Sequence, residues 1–254
     1  MSDLMIEISE LKKSFDGYAA LNGLSMNINK GSIYGLVGVN GSGKTTAIKH
    51  LAGVFRADSG KILVNGTEIY DNAVAKARIS YVPDDLYFFP SYSLKMLKTF
   101  HKSTYKTWSD ERFDELLNLM ELDPKRRVGR FSKGMQKQAA LVLALSAKPE
   151  VLLLDEPIDG LDPIVRKRIF SWIIEDVADR QMTVLISSHN LKEMDGICDT
   201  VGIIKKGQMI IEQDLDELKA EMQTKAISEH LPPTLDEIFI HVYEGLQTGG
   251  KAND

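Results

Sequence analysis

Apolar and polar positions alternate with a period of two near the start of the chain. Leu4, Ile6 and Ile8, and again Leu24, Met26 and Ile28, stand between polar neighbours, the pattern of half-buried antiparallel strands. Ser32–Gly38 (SIYGLVG) is a short apolar run ending in glycine, and Thr45–Leu51 follows with a helical pattern. Val151–Leu154 and Val184–Ile186 are continuous apolar runs, each followed by polar residues and a helical pattern. Short buried strands alternating with helices predict a parallel α/β sheet. The middle of the chain differs. From about Asp84 to Ala147 the periodicity is helical, with apolar residues at Phe113, Leu116, Leu117 and Met120 and no strand signal. Beyond Asp214 come a charged helix (Leu215–Met222), the pair Pro232-Pro233 and an amphipathic stretch (Leu235–Leu246). The tail TGGKAND is expected to be mobile. The predicted organisation is a discontinuous α/β core (1–83 and 148–214), an inserted helical subdomain (84–147) and a C-terminal helical extension with its tail (215–254).

Composition narrows this picture. A length of 254 residues suits one large domain or a compact core with one insertion. With 43% hydrophobic and 26% charged residues the chain is neither disordered nor of low complexity. Its densest apolar stretch, Ala139–Ala147, is far shorter than the roughly 20 residues of a membrane-spanning helix. The N-terminus MSDLMIEISE is acidic and alternating, unlike a signal peptide, so a cytoplasmic location is expected. The single cysteine, Cys198, excludes an intramolecular disulfide, fits a reducing compartment and reads as a small buried residue. A net charge of −5 argues against broad nucleic-acid binding and leaves room for a local basic patch.

The first chemical motif is Gly38-Val-Asn40-Gly41-Ser42-Gly43-Lys44-Thr45, followed by Thr46, which matches the phosphate-binding pattern GxxxxGK[ST]. It follows a predicted strand and opens a predicted helix, the context the motif requires. Glycines let the backbone curl so that successive N–H groups face an anion. The helix N-terminus adds roughly half a positive charge. Lys44 supplies a full charge for the β- and γ-phosphates, and the Thr45 hydroxyl is placed to ligate Mg²⁺. The second motif is Val151-Leu-Leu-Leu154-Asp155-Glu156, a buried strand delivering acidic residues at its end. Asp155 would hold Mg²⁺, and Glu156 would orient or deprotonate the attacking water. Alone, two solvated carboxylates would explain this pair as well; beside a P-loop, that explanation weakens.

The order of motifs resembles one family, the ATP-binding cassette (ABC) ATPases. The resemblance rests on Phe15, the P-loop, Tyr81-Val82-Pro83-Asp84, Phe131-Ser132-Lys133-Gly134-Met135, Asp155-Glu156-Pro157, Gly160-Leu161-Asp162 and His189, and spans about residues 4–213. It implies a P-loop NTPase fold: a RecA-like α/β core, an N-terminal antiparallel β subdomain and an inserted helical subdomain. It also implies ATP as substrate and Mg²⁺ as cofactor. Phe15 takes the position of the adenine-stacking aromatic, although an ordinary core phenylalanine would read the same way. Ser132 and Gly134 take signature positions, contacting the γ-phosphate bound by a second nucleotide-binding subunit. Asp162 takes the D-loop position, and His189 that of a switch histidine reaching the γ-phosphate.

Two departures from the family pattern stand out. Asp84 occupies the Q-loop glutamine position, where the resemblance implies contact with Mg²⁺ or the lytic water. The signature reads FSKGM, with Lys133 replacing the first glycine and Met135 the glutamine. Lys133 either adds charge near the opposite phosphate or faces solvent. Such variants resemble bacterial subunits serving export-type and drug- or peptide-resistance permeases.

The implied partners are a transmembrane permease in a separate chain and a second nucleotide-binding subunit, homo- or heterodimeric, on the inner face of the cell membrane. Tyr87, Phe88, Phe89, Pro90 and Tyr92 cluster after Asp84 and either mark the permease interface or pack within the helical insertion. The alternatives are a soluble ABC ATPase acting on nucleic acid or ribosomes, and a nucleotide-binding regulator without turnover.

Overall fold

A computed structural model describes residues 3–224 and 233–248. Pro232 and the tail beyond Thr248 lie outside the described residues. The elements in chain order are β1 (Leu4–Phe15), β2 (Tyr18–Asn29), β3 (Ile33–Val37), α1 (Lys44–Leu51), β4 (Ser59–Val64), β5 (Thr67–Glu68), α2 (Ala73–Lys76) and β6 (Ile79–Val82). Then follow α3 (Leu94–Thr104), α4 (Asp110–Leu119), α5 (Lys133–Ser146), β7 (Val151–Asp155), α6 (Pro163–Arg180), β8 (Thr183–Ser188) and α7 (Leu191–Met194). The chain continues through β9 (Thr200–Lys205), β10 (Gln208–Asp214), α8 (Leu215–Thr224) and α9 (Leu235–Thr248).

Two sheets organise these elements. β2-β1-β4-β5 form an antiparallel sheet, as the period-two pattern predicts. Alternation in β1 is not strict: Met5 is buried beside Ile6, and the register with β2 shifts between Leu4 and Ile6 and between Ile8 and Leu11. The second sheet runs β10-β9-β3-β8-β7-β6. Its inner pairs are parallel, and β10 is antiparallel to β9. β3, β7 and β8 are buried along their whole lengths, which is why their sequences are continuous apolar runs.

The helical periodicity expected from Asp84 begins at Leu94. Residues 84–93 carry turns and one isolated bridge, Ser93 to Arg127. Pro83 and Pro90 bias the residues before them away from helix, and the Ser93 side chain then caps α3 by accepting the Met96 N–H. Leu97, Phe113, Leu116 and Leu145 of the insertion join one continuous apolar cluster with Leu152, Leu154 and Ile186 of the sheet. Cys198 is buried, and burial raises its thiol well above the usual range.

One close fit locks β3 to the sheet edge. The fully buried Tyr34 donates its hydroxyl to Glu212 Oε1 on β10 at 2.9 Å, and the same oxygen accepts the Asn27 N–H from β2 at 2.8 Å. Gly202 on β9 lies against the ring: a Cβ there would stand 2.1 Å from the Tyr34 hydroxyl oxygen. Gly202→Ala should therefore cost about 1–3 kcal/mol in urea unfolding through overpacking. Gly196→Ala, where a Cβ would meet nothing within 4 Å, should stay within about 0.5 kcal/mol of wild type.

Candidate functional site

The site forms where β3, β7 and β8 end side by side. Asp155 pairs in register with Ser187, and Ser187 with Leu36, so the loop after β3, the acidic pair after β7 and His189 after β8 share one sheet edge. Gly43 caps α1 at φ 114°, a conformation that favours glycine, and a Cβ there would lie 2.8 Å from the Ala20 carbonyl oxygen. A cleft of about 340 Å³ is lined by Phe15, Tyr18, Asn40 to Thr46, Asp84 and Glu156. It thus gathers most of the residues expected to bind nucleotide. Ser132, Gly134 and Asp162 do not line it.

Lys44 is buried and donates to the Gly38 carbonyl oxygen at 2.8 Å, with Glu156 Oε1 3.8 Å from its Nζ. Burial lowers its pKa, opposed by Glu156 and Asp155. Thr45 Oγ1 donates to Asp155 Oδ1 at 3.2 Å, and Ser187 Oγ to the same oxygen at 2.5 Å. Oxygen donors of this kind suit a hard divalent cation such as Mg²⁺. Ser42 Oγ, in the P-loop, is buried with no hydrogen-bond partner among the described residues.

Glu156 takes a left-handed backbone (φ 47°), which returns its side chain to the cleft. Its Oε2 accepts the His189 N–H at 3.2 Å and lies 2.9 Å from His189 Nδ1. Burial raises the Glu156 carboxyl above its ordinary value, opposed chiefly by His189 and Lys44. The result is a carboxylate of increased basicity held between the Lys44 ammonium and the His189 ring, an arrangement able to take a proton from water. Asp159 Oδ2 stands 3.9 Å from His189 Nε2.

The remaining expected residues are placed as follows. Phe15 is 37% exposed and meets Phe55 edge-on at 5.3 Å between centroids, so it is a cleft-wall residue rather than a core one. Asp84 is exposed at the cleft mouth, with Oδ1 3.3 Å from Lys137 Nζ. Ser132 caps α5 by accepting the Met135 N–H at 3.2 Å, and Asp162 caps α6 by accepting from Ile164 and Val165, both at 3.0 Å. A Cβ at Gly134 would lie 3.2 Å from the Gly160 carbonyl oxygen, so the signature turn and the D-loop approach closely. Lys133 is exposed. The aromatic run divides: Phe88 and Tyr92 pack on the core cluster, while Tyr87 and Phe89 are 79% and 56% exposed.

Four contributors escaped the sequence reading. Tyr18 lines the cleft and donates to the Gly41 carbonyl oxygen at 3.3 Å. Ser187 holds Asp155, Lys137 is buried against Asp84, and Tyr243 on α9 accepts the Val39 N–H at 3.4 Å while donating to the Ile204 carbonyl oxygen at 2.8 Å. Ser187 carried a local signal in the tripeptide Ser187-Ser188-His189, and Lys137 one in its helical spacing to Leu141.

A protein-family model described as "ABC transporter" matches residues 21–159. The chain belongs to the ABC transporter family. It is 37% identical over 217 residues to the ABC transporter ATP-binding protein YtrB of Bacillus subtilis (strain 168), spanning 85% of this chain and 74% of that one. It is 33% identical over 218 residues to the bacitracin transport ATP-binding protein BcrA of Bacillus licheniformis, spanning 85% and 71%. A solved ATP-binding subunit of an ABC transporter superposes with a TM-score of 0.85 at 24% identity, spanning 94% of this chain and 99% of that one, which bears out the fold. This ABC subunit binds and hydrolyses ATP in the service of a transporter. No helix among the described residues is long and apolar enough to cross a membrane.

The raised Glu156 carboxyl gives the ABC subunit a pH-dependent stability of defined sign. The folded state binds the proton more tightly than the unfolded chain, so stability falls as pH rises from the ordinary glutamate value through the raised one. Above that window the ionised carboxylate is a standing cost. Without nucleotide, Glu156→Gln should melt at a higher temperature than wild type at pH 7.5. The gain should shrink as pH falls through the window and vanish below about pH 4, where glutamate is protonated in both states. Equal melting temperatures at pH 7.5 would contradict the charge balance described.

Proposed function

We propose that this ABC subunit powers export through a separate permease, closing on a second nucleotide-binding subunit around ATP. The carrying observation is the single cleft in which the P-loop, Asp84 and the buried, His189-held Glu156 converge. In this reading Phe15 stacks on adenine, Asn40 to Thr46 enclose the phosphates, and Lys44 neutralises β- and γ-phosphate charge. Glu156 accepts the proton of the attacking water, while His189 orients Glu156 and reaches the γ-phosphate. Thr45 and Asp155, with Asp84 at the cleft mouth, would hold Mg²⁺. When bound, the ion supplies a Lewis acid to the phosphate oxygens.

Ser132 and Asp162 are exposed at helix N-termini, with Gly134 in the first turn after Ser132, which supports their acting on nucleotide held by the opposite subunit. ATP then favours the closed pair, and hydrolysis lets it reopen. Exposed Tyr87 and Phe89 give the permease an apolar foothold beside Asp84. The FSKGM signature and the relative named for bacitracin transport support export over import. The proposed location is peripheral, on the inner face of the membrane.

Glu156→Gln should lower Mg²⁺-dependent ATP turnover about 100-fold or more while ATP still binds. Wild-type turnover in that variant would remove Glu156 from the chemistry. Purification from detergent-solubilised membranes should yield a stoichiometric polytopic membrane protein. Recovery with ribosomes, or tight salt-sensitive RNA binding, would instead support action on nucleic acid.

A further inference from the structure

Lys137 lies in the second turn of α5, the helix that opens at Ser132, and is buried to 6% exposure. A buried ammonium needs acceptors for its three protons. Three are present, all from other parts of the chain: the Glu156 carbonyl oxygen at 2.6 Å, the Asp159 carbonyl oxygen at 3.3 Å and Asp84 Oδ1 at 3.3 Å. One cation thus ties the signature helix to the turn after β7 and to the segment after β6.

Two consequences follow for the ATPase site. The left-handed turn at Glu156 aims its carboxylate at Lys44 and His189, and the Lys137 bond to the Glu156 carbonyl oxygen holds that turn from behind. Asp84 places a negative charge at the mouth of a cleft built for a polyanion. Left unpaired, it would repel the phosphates; an ammonium 3.3 Å away offsets it.

We propose that Lys137 is a positioning residue of the ATPase cycle, holding the Glu156 turn against the signature helix and cancelling the charge of Asp84 at the cleft mouth. This rests on the hydrolytic reading above. The two roles separate in kinetics: the first acts on kcat, the second on the affinity for ATP.

The test is a double-mutant cycle on the full chain, reading kcat with Mg²⁺ and ATP and, separately, the equilibrium Kd for ATP without Mg²⁺, where Asp84 has no metal to hold. Lys137→Met should lower kcat about 10–100-fold, the usual effect of removing a supporting hydrogen bond, and raise the metal-free Kd for ATP at least about 5-fold. Adding Asp84→Asn should return that Kd to within about 2-fold of wild type and leave kcat low. Equal losses of ATP affinity in the single and double variants would mean a merely structural lysine and overturn the proposal, as would a Lys137→Met protein with wild-type kcat and Kd. Should Lys137→Met not fold, Asp84→Asn alone decides. With the lysine kept and its countercharge removed, the Kd for ATP measured without Mg²⁺ should fall at least about 2-fold, and an unchanged or raised Kd overturns the proposal. Failure of the wild-type protein to hydrolyse ATP, alone or with its permease, would instead sink the hydrolytic reading itself.

Discussion

Four charged side chains, Lys44, Lys137, Asp155 and Glu156, are withdrawn from water at the carboxyl end of one sheet. Each burial costs several kcal/mol unless a partner of opposite charge or a hydrogen-bonding group stands beside it. That requirement constrains the parallel sheet more tightly than its apolar core does. Asp155 meets Thr45 and Ser187 only because β7, β8 and β3 run in one register. A slip of one residue would turn Asp155 to the other face and leave a carboxylate buried alone. The antiparallel sheet carries no comparable buried charge.

Much of this arrangement was legible in the sequence, because the chemistry of phosphate binding is written in short contiguous stretches. Gly38 to Thr46, Asp155-Glu156 and His189 are each local in the chain, and the apolar runs before them announce the strands that bring them together. What stayed hidden depends on separation. Asp84 and Lys137 are 53 positions apart, and a lysine in a helix ordinarily faces water. Only its spacing four residues before the buried Leu141 placed it on the inward face of α5. Tyr18 and Tyr243 were hidden for the same reason, since each acts on the P-loop from a distant element. The irregular stretch 84–93 was masked by apolar residues whose spacing imitates a helix, until the prolines are weighed.

Ser132 and Asp162 show how two demands converge on one residue type. Each caps its helix within its own chain. A helix N-terminus, with its partial positive charge, is also what an anion on a facing subunit would meet. Substituting either residue therefore disturbs local helix geometry as well as any contact across an interface.

The strand order has a consequence in time. β3, which carries the P-loop, is made early, yet its two sheet neighbours are β8 and β9, and neither begins before Thr183. During synthesis at about 5–20 residues per second, the nascent β3 waits on the order of ten seconds for a partner. Throughout that interval its apolar edge is unpaired, a template for wrong pairing or a site for a chaperone to cover. The ATP site is therefore among the last features of the molecule to exist, and a ribosome stalled before β8 would release a chain with its P-loop sequence complete and no sheet to hold it.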